Sequence, residues 1–188
     1  MTASTHESPS DWIRQWSHLV PPGATLLDVA CGSGRHLCWF AEHGAQVTGV
    51  DRDAAAIAGL RGLGEMVQAD IENGPWPFGG RRFDAIVVTR YLWRPLLPTL
   101  VASVAPGGVL LYETFATGNE TVGRPSNPDF LLKPGELLDA VRGHLRVIAY
   151  EDGFLDAPPR FIQRIAAVRE PVKAGLAARL KSPDSEEP

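Results

Sequence analysis

Cysteine is scarce in this 188-residue chain, which contains only Cys31 and Cys38. The two lie seven positions apart, a spacing that fits neither a zinc-ligand pattern nor a redox Cys-x-x-Cys motif. We therefore expect no disulfide scaffold and no bound metal, and interpret both cysteines as reduced, mostly buried thiols. Four of the five histidines likewise lack metal-ligand spacing and are expected on the surface: His6, His18, His43 and His144.

Long hydrophobic runs and an excess of basic residues are also missing. The longest apolar stretches, such as Ala85–Val88 and Val109–Tyr112, are far shorter than the ~20 residues needed to span a bilayer. The first residues are not a basic segment followed by an apolar one, so no secretory signal is indicated. Lys and Arg number 18 against 22 Asp and Glu, giving a formal net charge of −4, which provides no general attraction to nucleic acid. We expect a cytoplasmic protein without a membrane partner.

The abundant residues predict a folded domain with many tight turns. Hydrophobic residues make up 44% of the chain, which also contains 19 Gly and 16 Pro. Apolar stretches end in turns and are followed by helical patterns. Strands are predicted at Ala24–Ala30, Ala45–Val50, Met66–Ala69, Phe83–Thr89 and Val109–Phe115, with helices at Arg35–His43, Ala54–Leu60 and Pro95–Ala105. This alternation predicts an α/β fold with a doubly wound, Rossmann-like parallel sheet, helices on both faces and ligands at the carboxyl ends of the strands.

The C-terminal part is less regular. Ala116–Pro134 is too rich in Gly, Pro and Asn for regular structure and is expected to be a functional loop. A last helix is predicted at Gly135–Val141, then an antiparallel pair, Leu145–Glu151 with Phe161–Arg169, joined by the turn-rich Asp152–Arg160. We expect a single domain over residues 1–169 and a frayed tail over 170–188, with one amphipathic piece at Val172–Leu180.

A short amphipathic helix is predicted at the N-terminus, where apolar residues follow helical spacing: Trp12, Ile13, Trp16 and Leu19. The simpler interpretation is that this helix packs against the sheet edge. The functional alternative is that it closes over a bound ligand.

The first motif with chemical content is Asp28-Val29-Ala30-Cys31-Gly32-Ser33-Gly34, a strand that runs into a Gly-x-Gly turn and opens a helix. Glycines there let a ligand approach the backbone, and the helix start offers free N–H groups. Asp51 ends the next strand, where a carboxylate can accept both hydroxyls of a ribose. A tight turn and a helix cap explain each feature alone, but together they favour a nucleoside-containing cofactor.

The details argue against a dinucleotide. A G-x-G-x-x-G fingerprint needs a third glycine where this chain has Leu37, and the charge of Asp28 would oppose a pyrophosphate. An NAD-linked oxidoreductase is therefore disfavoured. The same negative charge suits a cationic or zwitterionic ligand.

Five ordered segments resemble the motifs of the class I S-adenosylmethionine-dependent methyltransferases, and the resemblance covers roughly residues 12–168. The segments are Asp28–Gly34 with Asp51, then Gln68–Ile71, Phe83–Val88 and Pro106–Leu110. The Gly-Arg-His start of the first helix and the compact size are similar to small bacterial enzymes of the tellurite-resistance type. The resemblance implies a seven-stranded sheet with six parallel strands and one antiparallel strand.

The resemblance also implies a role for individual residues. The backbone around Ala30, Gly32 and Gly34, with Asp28 nearby, is expected to hold the methionine part, and Asp51 the ribose hydroxyls. Asp70 and the Ile71 N–H are expected to contact the adenine, and the Thr89 backbone to lie beside the sulfonium. Ala30 departs from the glycine that many members carry, a tolerated variant.

Substrate residues are predicted after the fourth strand and in the long loop. Tyr91, Trp93 and Arg94 are candidates for an aromatic and cationic wall of the acceptor pocket, although packing of Trp93 and solvation of Arg94 explain them equally well. Arg124 is a candidate for gripping an acidic group, against a turn-stabilising surface arginine. His36, in the helix that the glycine loop opens, is a candidate for a place near the cofactor and a part in catalysis, but local hydrogen bonding is the simpler explanation.

The sequence thus predicts transfer of a methyl group from S-adenosylmethionine to a small soluble acceptor, leaving S-adenosylhomocysteine. No residue stands out as a general base, because a sulfonium methyl needs mainly alignment with its acceptor. The Asn/Asp-Pro-Pro-Tyr/Phe motif of DNA amino-methyltransferases is missing. RNA or protein methylation and a non-catalytic cofactor-binding module are the alternatives, and nucleic acid is the less favoured partner.

Overall fold

One sheet of seven strands organises the computed structural model, which describes residues 7–170. The strands are β1 (Thr25–Val29), β2 (Gln46–Asp51), β3 (Glu65–Gln68), β4 (Phe83–Thr89), β5 (Val104–Phe115), β6 (Arg146–Asp156) and β7 (Pro159–Val168). Their order across the sheet is β3-β2-β1-β4-β5-β7-β6. Only β7 runs antiparallel to its neighbours, β5 and β6. The expected sheet of six parallel strands and one antiparallel strand is confirmed.

The part of the chain that the structure describes has five short α-helices, the first of them ahead of β1: α1 (Asp11–Trp16), α2 (Arg35–Glu42), α3 (Ala54–Gly59), α4 (Leu97–Ala102) and α5 (Glu136–Val141). Further 3₁₀ turns lie at Ser17–Leu19, Arg94–Leu96, Asn119–Thr121 and Pro128–Phe130. The Gly- and Pro-rich connection between β3 and β4 contains turns but no helix. Between residues 7 and 170, no helix is long and apolar enough to cross a membrane.

Alternating strand residues fill two cores, one on each face of the sheet. Leu26 points to the core that contains Leu37 and Phe40 of α2. Its neighbour Leu27 points to the opposite core, which contains Leu100 of α4 and Leu137 of α5. Because strand side chains alternate between faces, a continuous apolar strand is what a sheet covered on both sides requires. The predicted placement of helices on both faces is confirmed.

The N-terminal helix packs on a face of the sheet rather than at its edge. Trp12 and Ile13 of α1 are buried in the same core as α2. The Trp12 indole N–H donates to the Ile165 carbonyl of β7 at 3.3 Å, and the Arg164 guanidinium lies 4.8 Å from the Trp12 ring centroid. Since β7 is the next-to-last strand of the sheet, the helix anchors the start of the described chain on the sheet face, inside the edge strand β6.

Two predicted boundaries are wrong. The helix predicted at Pro95–Ala105 ends at Ala102, because Val104 already pairs with Phe83 at the start of β5, ahead of a bulge. The turn predicted at Asp152–Arg160 is strand for most of its length, because the β6–β7 ladder continues to the pair Asp156–Pro159. There the rings of Phe154 and Phe161 lie 5.0 Å apart, an aromatic cross-strand pair that supports a ribbon beyond the sheet. The predicted tail lies, from residue 171 onward, outside the described residues.

Candidate functional site

The turn between β1 and α2 has the open backbone expected of a ligand-binding loop. Ala30, Gly32 and Gly34 have φ values of +54°, +51° and +75°, in the left-handed region that favours glycine. A Cβ on Gly34 would lie only 2.5 Å from Leu60 Cδ2, whereas a Cβ on Gly32 would meet no atom within 4 Å. Gly34 is therefore needed so that Leu60 can pack against the loop, whereas Gly32 borders empty space.

Asp51 joins this turn to the end of β2. Its Oδ2 accepts a hydrogen bond from the Gly32 N–H at 2.8 Å, and its Oδ1 accepts from the Asp53 N–H at 2.9 Å. Asp53, rather than Asp51, caps α3 through the Ala55 and Ala56 N–H groups. Helix capping was the alternative to ligand binding as an explanation of Asp51. Because Asp53 caps the helix, that alternative does not explain Asp51.

A cavity of about 420 Å³ opens at the carboxyl ends of the parallel strands β1 to β5, within the range of small-molecule pockets. Five of the predicted site residues line it together: Ala30, Asp51, Asp70, Ile71 and Tyr91. Sequence reasoning missed others in its wall, among them Arg52, Glu72, Phe115, Pro125 and Phe130. The last two come from the 116–134 loop, whose Gly and Pro content gave no indication of which side chains face the cavity.

Asp70 is ordered by its own loop. Its Oδ1 accepts from the Glu72 and Asn73 N–H groups at 3.0 and 3.1 Å, and its Oδ2 accepts from the Asn73 side chain at 3.0 Å. These hydrogen bonds, that of the Asn73 side chain first, lower the pKa of the Asp70 carboxyl below its ordinary value. A charged carboxylate is thus held in the cavity wall.

Asp28 is a buried carboxylate with too few donors. It is 1% exposed, and among the described residues its Oδ2 has no hydrogen-bond partner. The Nδ1 atom of His36 lies 3.7 Å from Oδ2, beyond hydrogen-bonding range. Burial, followed by the charges of Asp28 and Asp51, raises the pKa of the Cys31 thiol well above its ordinary value. The glycine loop therefore surrounds a negative region that a cationic ligand group would stabilise.

The other predicted site residues lie outside the cavity lining. Asp28, Gly32 and Gly34 lie in and below the glycine loop, and Thr89 is half-buried at the end of β4. Trp93 packs against the core of α4 and α5. The two cysteines, both expected to be mostly buried, differ in exposure: Cys31 is buried and Cys38 is half-buried. Across residues 7–170 no group of three or more His, Cys, Asp or Glu is arranged to hold a metal ion.

Arg94 is fully engaged by the protein rather than placed in the cavity wall. Its Nε and Nη2 donate to the two carboxylate oxygens of Glu136 at 2.6 and 3.0 Å. Its Nη1 and Nη2 also donate to the Asp129 and Leu131 carbonyls, both at 2.7 Å. These bonds fasten both sides of Phe130, so Arg94 reaches the cavity only through the loop that it fixes.

A second, larger space adjoins the cavity and contains Arg124. This groove, about 860 Å³, and the cavity share Arg90, Thr114 and Phe115 in their walls. Arg90 has a φ of +54°, rare for a residue with a side chain and frequent at functional sites. Nothing in the sequence signals this conformation, so Arg90 was missed.

The first described residues form one wall of the groove. Glu7 forms salt bridges with Arg35 at 3.0 Å and Arg90 at 3.1 Å. Ser10 donates its backbone N–H to His36 Nε2 at 3.3 Å and its hydroxyl to Glu113 at 2.8 Å. The segment therefore crosses the carboxyl ends of the strands. His36 is explained by this local hydrogen bonding, the simpler of its two interpretations.

Comparison with known proteins agrees with this geometry. A family profile described as a methyltransferase domain matches residues 26–108, from β1 into the first part of β5. The chain is 39% identical over 103 residues to a ribosomal protein L11 methyltransferase of Burkholderia mallei, covering 52% of this chain and 33% of that protein. It is 29% identical over 147 residues to a tRNA U34 carboxymethyltransferase of Idiomarina loihiensis, covering 68% of this chain and 42% of that protein. The chain thus spans less than half the length of these curated relatives.

The fold is shared with solved structures. TehB from Haemophilus influenzae superposes with a TM-score of 0.66 at 21% identity, covering 90% of this chain and 64% of that one. At this identity the likeness concerns the fold. The superposition covers a larger share of this chain than the family profile does.

Proposed function

We propose that this protein transfers a methyl group from S-adenosylmethionine to a small acceptor. Residues 26–108 match a profile described as a methyltransferase domain, and the fold superposes on that of TehB. The observation that carries the proposal is the convergence of Ala30, Asp51, Asp70 and Ile71 on one cavity. These residues come from three separate strand ends. Their joint placement is what a nucleoside-containing ligand requires.

The chemistry of the site fits this cofactor. Asp28 is buried without a hydrogen-bond donor on Oδ2 among the described residues, and an uncompensated buried charge is unfavourable. The cofactor has an ammonium group and a sulfonium, and either cation near the glycine loop would offset that charge. The open space beside Gly32 leaves room for a ligand against the backbone. The fit therefore rests on charge as well as on shape.

Each residue has a definite part in the proposed complex. Asp51 would accept the ribose hydroxyls, for which its remaining lone pairs are available beside the two backbone bonds. Asp70 would accept from the adenine amino group and the Ile71 N–H would donate to the ring. Phe130, 46% exposed in the cavity wall, would cover an apolar surface of the ligand.

The reaction needs little further from the protein. Bound S-adenosylmethionine would supply an electrophilic methyl group on its sulfonium. A lone pair of the acceptor would form the new bond to that carbon as the sulfur–carbon bond breaks, and S-adenosylhomocysteine would leave. An acceptor O–H, N–H or S–H would release its proton to solvent. The residues at Thr89, Arg90 and Tyr91 would align the acceptor and exclude water, which provides much of the rate.

The acceptor is proposed to be a small molecule. The groove beside the cavity is bounded by the N-terminal segment, the 116–134 loop and the β6–β7 ribbon, and the chain carries a net charge of −4. RNA or protein acceptors are the alternative, because the relatives include enzymes named for ribosomal protein and for tRNA. An acceptor affinity that falls steeply with salt would favour RNA. A cytoplasmic location belongs to the same proposal.

Calorimetry with S-adenosylmethionine and S-adenosylhomocysteine tests cofactor binding. We expect sub-millimolar binding, weakened by about 10- to 100-fold in Asp51→Asn, because hydrogen bonds to charged groups contribute about 1.5–3 kcal/mol. The matched control is Asp53→Asn, two residues away, because Asn caps a helix as well as Asp does. Its affinity is expected to equal that of the wild type.

Absence of binding to either compound, or equal affinities for Asp51→Asn and the wild type, would overturn the proposal. Transfer itself is tested by following S-adenosylhomocysteine release with small thiols, phenols, carboxylates, selenite and tellurite. Cofactor binding without turnover on any of these or on RNA would instead indicate a non-catalytic binding module.

A further inference from the structure

The groove beside the cavity contains two arginines without a carboxylate partner. Arg124 has no polar partner among the described residues, and Arg160, which is half-buried, donates only to the Pro158 carbonyl at 3.0 Å. The other arginines of the groove wall are paired. Arg35 and Arg90 bind Glu7, and Arg164 binds Glu113 and Glu151.

A buried amide brings the two arginines to the same wall. Asn119 is 1% exposed; its Nδ2 donates to the Pro125 carbonyl at 3.0 Å and its Oδ1 accepts from the Phe161 N–H at 3.2 Å. Pro125 follows Arg124 and Phe161 follows Arg160. The Asn119 side chain therefore joins the two backbone segments that carry these arginines. Gly118 tightens the contact, since a Cβ there would lie 2.9 Å from the Phe161 ring.

The acidic side chains of the groove are mostly neutralised already. Glu7 is bound by two arginines, Glu113 accepts from Ser10 and Arg164, and Asp11 pairs with Arg14. Asp156, in the hairpin, is the one carboxylate of this wall for which the described residues provide no partner. Two unpaired cations thus face the groove against one unpaired anion.

We propose that Arg124 and Arg160 bind an oxyanion, a carboxylate or a phosphate, carried by the methyl acceptor. This deepens the proposed methyl transfer and rests on it. The groove meets the cofactor cavity at Arg90, Thr114 and Phe115, so an acceptor anchored by its anionic end extends toward the methyl donor. Arginine suits this task because its planar donor pairs match the oxygens of carboxylates and phosphates.

The test uses matched probes on the full-length protein saturated with S-adenosylhomocysteine. Benzoate, phenyl phosphate and benzamide are titrated while arginine side-chain signals are followed by NMR. We expect benzoate or phenyl phosphate to bind at least about tenfold more tightly than benzamide, a typical effect of charge-assisted hydrogen bonds. The stronger of the two anions identifies the carboxylate or the phosphate as the natural group.

The Arg124→Gln/Arg160→Gln double variant is expected to lose this preference, while the control Arg142→Gln, an exposed arginine that pairs with Asp139 outside the groove, keeps it. Asn119→Ala is expected to weaken anion binding without removing either charge. Equal binding of anions and benzamide, absence of anion binding, or an unchanged preference in the double variant would overturn the proposal. Calorimetry on the same samples keeps the two ideas apart, because the double variant is expected to bind S-adenosylhomocysteine like the wild type.

Discussion

The cavity and the groove lie side by side but are built differently. The cavity takes Asp51 from the last position of β2 and Asp70 from the second position after β3, and local backbone N–H groups orient both carboxylates. The groove is lined by arginines and held by distant pairs, such as Glu7 with Arg90, 83 positions apart, and Ser10 with Glu113, 103 positions apart. The cofactor side thus depends on short motifs, and the acceptor side on long-range contacts.

The 116–134 loop belongs to both regions. Pro125 and Phe130 face the cavity, while Arg124 and Asn119 face the groove. Two separate anchors hold its two halves, Arg94 near Phe130 and Asn119 near Arg124. Variants that loosen one anchor at a time therefore separate the contributions of the two regions.

The largest effect is expected at the glycines of the cavity loop. Gly34→Ala should lower the free energy of unfolding by about 3 kcal/mol, because the new Cβ would overlap Leu60 and the residue has a positive φ. Gly32→Ala should cost only about 1 kcal/mol of backbone strain, since no atom lies near its Cβ. Urea denaturation of both variants measures the difference.

For cofactor affinity, measured on folded protein, we expect the opposite order, with the larger loss in Gly32→Ala. Gly32→Ala should weaken S-adenosylhomocysteine binding by at least about tenfold, because its methyl group fills the space at the backbone where a ligand would approach. Equal loss of stability in the two variants, with unchanged affinity for Gly32→Ala, would contradict the division of roles between packing and binding.

The next largest effect is expected at the anchor of the cavity half of the loop. Arg94→Ala should lower the free energy of unfolding by about 2 kcal/mol, because it removes four hydrogen bonds and leaves Glu136 without its cation. Arg142→Ala, which removes a pair with Asp139 whose side chains are 76% and 70% exposed, should change it by less than about 0.5 kcal/mol.

Acid should narrow the difference between Arg94→Ala and the wild type. Burial opposes ionisation of Glu136, but the hydrogen bonds from Arg94 and the Lys133 N–H outweigh it, so the pKa of the Glu136 carboxyl lies below its ordinary 4.5. A lowered folded-state pKa stabilises the protein above the unfolded-state pKa, and the stabilisation is lost as pH falls through the folded-state value. Denaturation from pH 7 downward should therefore show a constant gap in the free energy of unfolding that narrows below pH ~4.5, while the part due to the Asp129 and Leu131 carbonyls remains. A gap independent of pH would contradict this assignment.

The same contrast explains how much the sequence predicted. The alternation of strands and helices, the glycine turn and Asp51 at a strand end were predicted because strand ends and their spacing are local properties. The places of Asp70 and Ile71, which also line the cavity, were implied by the resemblance to the methyltransferases. The β6–β7 ribbon was missed because Asp152 and Gly153 are poor strand formers on their own, and the ladder that extends them depends on pairing with β7.

The groove was harder to predict for the same physical reason. In the sequence, Arg94 is one of several arginines, and nothing near it indicates its partners. Folding brings Glu136 and two carbonyls of the 116–134 loop to its guanidinium. Arg90 and Glu7 form a pair that no motif records. The roles predicted for Trp93 and Arg124 as substrate residues remain predictions, and Arg124 alone of the two lines a space next to the cavity.

The smallest effect is expected where the groove wall is held by exposed charges. The charge of Arg35, followed by that of Arg90, holds the pKa of the Glu7 carboxyl below its ordinary value against the effect of burial, so Glu7 is ionised at neutral pH. Yet its side chain is 56% exposed, and that of Arg90 59%. Glu7→Gln should therefore lower the free energy of unfolding by less than about 1 kcal/mol at low salt, with the loss approaching zero in high salt.

Glu42→Gln is the matched control for this change, since it removes an exposed glutamate for which no ion pair exists within residues 7–170, and its stability should match that of the wild type at every salt concentration. Thermal unfolding of both variants at low and high ionic strength measures the effect. If Glu7→Gln lowered the free energy of unfolding by more than about 2 kcal/mol and salt did not change this loss, the segment around Glu7 would be as firmly anchored as the cavity loop. Such a result at Glu7 would contradict the distinction between a cavity built from local contacts and a groove held by long-range ion pairs that salt screens.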